Sequence, residues 1–82
     1  MKQPLYQYVA LCRDLDQHQL KKGDVAVLVD RVPHPTGGEE GCVLEVFNAL
    51  GHSLAVLVVR ESEVEPLEED EVLTVRRLAP AG

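Results

Sequence analysis

The chain has no tryptophan and no isoleucine, and its only aromatic residues are Tyr6, Tyr8 and Phe47. Proteins that grip single strands of nucleic acid stack bases on aromatic platforms, and three such side chains are few for that task. Basic residues are also scarce: eight Lys and Arg stand against fourteen Asp and Glu, for a net charge of −6 and a pI near 4.9. A binder of the phosphate backbone needs a basic face, so this balance argues against nucleic acid. The two cysteines, Cys12 and Cys42, lack the CxxC spacing of a zinc site. No run approaches the roughly 18 uncharged apolar residues of a membrane-spanning helix. The segment Met1-Lys2-Gln3-Pro4 lacks the apolar stretch of an export signal. A cytoplasmic location is therefore expected, with both thiols reduced and packed as small apolar side chains.

What is present is valine and leucine, thirteen and twelve of them, in 82 residues and 9.0 kDa. That length allows one domain, residues 1–82, because two separate cores would each be too small to fold alone. An apolar content of 45% is too high for a disordered acidic tail. Valine favours strands, where its branched Cβ suits a pleated surface. Residues 6–13 read as a first strand, followed by a long polar connection whose one apolar anchor is Leu20 and by a turn at Gly23-Asp24. Residues 25–29 read as a second strand, extendable to Val32. Residues 33–41 hold two Pro and three Gly and form a loop. Residues 42–47 and 54–60 read as a hairpin with Gly51 at the left-handed position of its turn. Residues 72–78 are a last strand candidate. Short strands at this spacing, with Gly and Pro between them, point to a small barrel.

The pleat repeats every two residues. In the 54–60 run, Leu54, Val56 and Val58 point one way, and Ala55, Leu57 and Val59 the other. Both faces are apolar, yet a small barrel has one interior. The second face must be covered by residues 72–78, by another copy of the chain or by a different partner. Leu57 and Val59 are assigned to that second face, together with the aromatics Tyr6, Tyr8 and Phe47 as anchors for a partner.

Sites for chemistry are sparse. His18, His34 and His52 all fall on expected loops and form no HxH or HxxxH pair, so no metal site is expected. Ser53 and Ser62 stand outside any GxSxG context. Gly37-Gly38 and Gly41 flank Glu39 and Glu40, whose charge would repel a phosphate. No catalytic residue and no cofactor is expected. The sharpest charge feature is the run Glu61, Glu63, Glu65, Glu68, Glu69, Asp70 and Glu71. Such a run solubilises a small β protein and blunts a sheet edge. It also suits a basic partner, with Glu61, Glu63, Glu68 and Glu69 as the candidate contacts.

The pieces Val9-Ala-Leu and Leu20-Lys-Lys-Gly-Asp-Val25 resemble the first strand and diverging turn of SH3-like barrels. More closely, Val9-Ala-Leu-Cys-Arg-Asp-Leu-Asp16, Leu20-Lys-Lys-Gly-Asp-Val-Ala-Val-Leu-Val29, Leu44-Glu-Val-Phe-Asn48, Leu54-Ala-Val-Leu-Val58 and Val64-Glu-Pro-Leu67 resemble the bacterial family called domain of unknown function 4926. The loop at 33–41 and the tail at 72–78 depart from its pattern. The resemblance implies an all-β fold, a small SH3-like barrel of about five antiparallel strands, to which residues 72–78 are expected to add a C-terminal strand. It implies no enzyme activity and no cofactor, and an accessory or antitoxin-like role beside another protein. The expected function is thus a non-catalytic protein-interaction module that binds a protein partner or itself through an acidic and apolar surface. The alternative is a nucleic-acid or ribosome-associated SH3-like domain of the KOW kind, favoured by Lys21-Lys22-Gly23-Asp24-Val25 and opposed by the net charge.

Overall fold

The computed structural model describes residues 4–78. Five strands, β1 (Gln7–Leu11), β2 (Val25–Val32), β3 (Gly41–Phe47), β4 (Ser53–Arg60) and β5 (Val64–Pro66), form one antiparallel sheet in the order β4-β3-β2-β1-β5. Two single 3-10 turns, Asp16–His18 and Glu61–Glu63, interrupt the connections. The fold is all-β and SH3-like. Among the described residues no helix is long and apolar enough to cross a membrane.

Local sequence explains each connection. The β3–β4 turn is organised by Asn48, whose side-chain Oδ1 accepts the N–H of Leu50 at 3.0 Å and of His52 at 2.9 Å. Gly51 completes it at φ +86°, a conformation that costs glycine nothing in steric terms. Between β1 and β2, Leu15 and Leu20 exchange backbone hydrogen bonds at 2.9 and 3.1 Å, and both side chains enter the core. The long connection therefore has two anchors, where the sequence suggested Leu20 alone. Asp24 closes the following turn by accepting the Lys21 N–H at 2.8 Å.

The core is the inward face of the bent sheet. Val9, Leu28, Leu44 and Cys42 have almost no exposure, and Leu11, Ala26 and Val46 join them. Each large aliphatic side chain so buried stabilises the fold by about 1.5–3 kcal/mol.

Two expectations are corrected. Residues 72–78 form no strand. The place beside β1 belongs to β5, through Val9–Pro66, Ala10–Glu65 and Leu11–Val64 pairs. The β-prone tail therefore finds no ladder there, and Val72, Leu73, Val75 and Leu78 remain exposed. Second, β1 ends at Leu11, since Cys12 and Arg13 turn away; the Cys12 N–H donates to the Glu63 carbonyl at 2.8 Å.

Candidate partner-binding surface

Leu57 and Val59 are core residues, each 6% exposed, and are not part of a partner surface. Register explains why. Leu57 pairs with Leu44 and Val59 with Cys42, and both of those partners face inward. The face left uncovered carries the opposite set, Leu54, Val56 and Val58, of which Val56 and Val58 are more than 60% exposed.

The uncovered face extends across four strands. Tyr8 pairs with Val27, Val27 with Glu45, and Glu45 with Val56, so these four side chains form one outward row. A second row joins Val43 to Val58, with Asp30 beyond. Irregularities in register between Leu28 and Asp30 and between Val46 and Phe47 bend the sheet there. Tyr8 is exposed, and Phe47 is partly so at the far end of β3. Tyr6 is exposed too and stands at φ +63°, held by its N–H to the Leu28 carbonyl at 2.6 Å.

The acidic residues separate into two groups. Glu63 serves the fold: its carboxylate pairs with Arg13 Nε at 2.7 Å and accepts the Arg60 N–H at 2.8 Å. That carboxylate is committed inside the chain, which removes it from the candidate contacts. Glu61 is half-buried at the end of β4, and its N–H donates to the Glu40 carbonyl at 3.0 Å. The Ser62 N–H donates to Glu39 Oε1 at 2.7 Å. The Ser62 side-chain hydrogen bond, and after it this N–H bond, outweigh desolvation and hold the Glu39 carboxyl below its ordinary value. Glu68 and Glu69 lie exposed beyond β5.

The tail is fixed at one point. Arg76 Nε donates to Asp24 Oδ1 at 2.9 Å, its Nη2 to Asp24 Oδ2, and Nη2 also to the Gln19 carbonyl at 3.2 Å. Burial pushes the Asp24 carboxyl up. The hydrogen bonds from Arg76 and the Lys21 N–H, with the charges of both side chains, outweigh it and hold the group below its ordinary value. Beside this latch a cavity of about 680 Å³ opens between the barrel end, at Val46, Phe47 and Leu54, and the tail residues Val75, Arg77 and Leu78.

Other chemistry is dispersed. Among the described residues no three His, Cys, Asp or Glu side chains converge as a metal site. The His34 ring binds the Thr36 N–H at 3.2 Å within its own loop. Both cysteines are free. Burial raises the pKa of each thiol, and nearby carboxylates add to it, Glu65 for Cys12 and Glu61 for Cys42.

Sequence reasoning missed Leu54, Val56 and Val58 as the open face, and it missed the Arg76–Asp24 latch. A signal for the first existed. Glu45 between Leu44 and Val46 marks the outward side of β3, but carrying that parity to β4 requires the hairpin register.

Five antiparallel strands in this order, with a 3-10 turn between β4 and β5, define a small all-β domain whose distinctive surface is an apolar outer sheet. The profile of the family described as Domain of unknown function (DUF4926) matches residues 5–66, and the chain belongs to that family. The matched segment ends with β5, leaving the tail outside it. No curated protein and no solved structure matches the chain.

Proposed function

We propose that this chain is a non-catalytic protein-interaction module, an accessory or antitoxin-like protein that docks another protein on the outward face of its sheet. The observation that supports this reading is the row Tyr8, Val27, Glu45 and Val56 with Val58 and Leu54 beside it. An apolar patch with an aromatic anchor and few charges is what interface centres have. Glu68 and Glu69 add negative charge outside the patch, so a partner with an apolar centre and a basic margin fits best. Complementary charge of that kind raises the rate of encounter more than the affinity.

The test uses a protein that co-purifies with the chain from its own cells. Its affinity is measured for the natural chain, Tyr8→Ala and Lys22→Ala. Loss of an exposed aromatic anchor is expected to weaken binding by about tenfold or more, and Lys22→Ala to leave it unchanged. An affinity indifferent to Tyr8→Ala overturns the reading. So does tight, salt-dependent retention of DNA or RNA that Lys22→Ala weakens, which would favour the KOW-like alternative.

A further inference from the structure

We infer that the chain forms a two-fold dimer by antiparallel pairing of β4 with β4 of a second copy. The inference goes beyond the docking of another protein. It concerns the sheet's edge and shares Val56 and Val58 with the docking face, whose anchor Tyr8 lies on β1, three strand spacings or about 14 Å away.

The two edges of the sheet differ. β5 is three residues long and ends in Pro66, which has no N–H to offer. β4 is eight residues long, and residues 53–59 carry no charge and no proline. Its only ladder partner among the described residues is β3. Beyond the bulge at Leu54 the edge from Ala55 to Val59 is unprotected by charge or proline, and such an edge is a template for another strand.

Pleat parity selects the second copy's β4 as that strand. β4 is regular beyond the bulge at Leu54, which the β3 register skips between Ser53 and Ala55; with the two-fold axis at Leu57, Val56 stands opposite Val58 of the second copy, and Ala55 opposite Val59. Outward side chains then meet outward ones and core residues meet core residues, so the sheet continues in phase. Val56 and Val58 from both copies merge into one apolar band.

Charge selects the antiparallel direction. The C-terminal end of β4 is acidic on balance: Arg60 closes the strand, but Glu61 follows it and Glu39 is held beside it by Ser62. The N-terminal end is basic, because Leu54 shares the cavity wall with Arg76 and Arg77 of the tail. Arg76 is committed to Asp24, but Arg77 has no ion-pair partner among the described residues. Antiparallel pairing sets the Arg77 end of each copy against the Glu61 end of the other, twice per dimer. It also separates the two acidic ends by about 26 Å along an eight-residue strand, well beyond the Debye length of roughly 8–10 Å in physiological salt. Parallel pairing would place acid beside acid.

Sedimentation equilibrium across a wide concentration range tests this. The expected result is a concentration-dependent mass rising from 9.0 kDa to twice that value. Val56→Lys with Val58→Lys, both at exposed positions, is expected to give a folded monomer at every concentration. Arg77→Glu is expected to weaken the dimer, and Glu61→Arg in the same chain to restore it. Amide exchange supplies a second readout, since the N–H groups on the open side of β4 gain protection only in the dimer. A monomer throughout, or a dimer indifferent to the two lysines, overturns the inference. Neither result bears on the partner affinity read through Tyr8.

Discussion

Val56 stands directly across from Glu45 on the outward side of the β3–β4 ladder, an exposed aliphatic facing the one acid within the strand row that reaches Tyr8. A carboxylate so placed keeps its water in the free protein. The pairing makes this face open by construction, and the inward alternation of Leu44 and Val46 around Glu45 fixes which face that is.

Neighbours on β4 are expected to differ sharply in their contribution to stability. Leu57→Ala opens a hole beside Leu44 and is expected to cost about 2–5 kcal/mol. Val56→Ala, at a position 62% exposed, should stay within about 0.5 kcal/mol of the natural protein. Urea unfolding of the two variants measures the contrast.

The tail latch is expected to open in acid. The folded Asp24 carboxyl titrates below its ordinary value, so the folded state favours the carboxylate. Its contribution is complete above the unfolded pKa of about 3.9 and is lost as pH falls through the lowered folded value. Backbone NMR signals of residues 72–78 should hold their positions between about pH 5 and 8, then move to coil values in acid. Asp24→Asn should release the tail at neutral pH while β1 to β5 keep their signals.

Glu63 is expected to matter more than any other residue of the acidic run. It joins the end of β1, through Arg13, to the turn after β4, through the Arg60 N–H. Glu63→Ala removes that backbone cap and is expected to cost about 0.5–2 kcal/mol. Glu68→Ala and Glu69→Ala should leave thermal stability unchanged.

The two thiols should also be distinguishable. Cys42 is 2% exposed and Cys12 is partly exposed, and both have raised pKa values. At neutral pH, alkylation is expected to be slow at Cys12 and slower still at Cys42, whose rate should follow global unfolding. Mass spectrometry of a timed alkylation series reads both rates.

The four long strands were legible because Val and Leu runs, bounded by Gly, Pro, Asn and Asp, carry both composition and punctuation. Gly51 and Asn48 likewise announced the β3–β4 turn. β5 was hidden inside the acidic run, since three residues including a proline give no period to detect. The tail misled in the opposite direction. Val72, Leu73 and Val75 have strand composition, but the place beside β1 was filled by Val64 to Pro66. Of the surface residues, the sequence placed Tyr6, Tyr8 and Phe47 at positions that prove exposed or partly so. Its error over Leu57 and Val59 was one of parity, because two equally apolar faces offer no internal mark of which is inward. The Arg76–Asp24 latch joins residues distant in sequence and leaves no local trace.

The outward face as a docking surface is tested most directly by a photoreactive amino acid placed at position 8, with position 22 as the control, in the protein's own cells. The account predicts that irradiation joins position 8 to one other protein and leaves position 22 without that adduct. No adduct at position 8, or the same adduct from both positions, would contradict it.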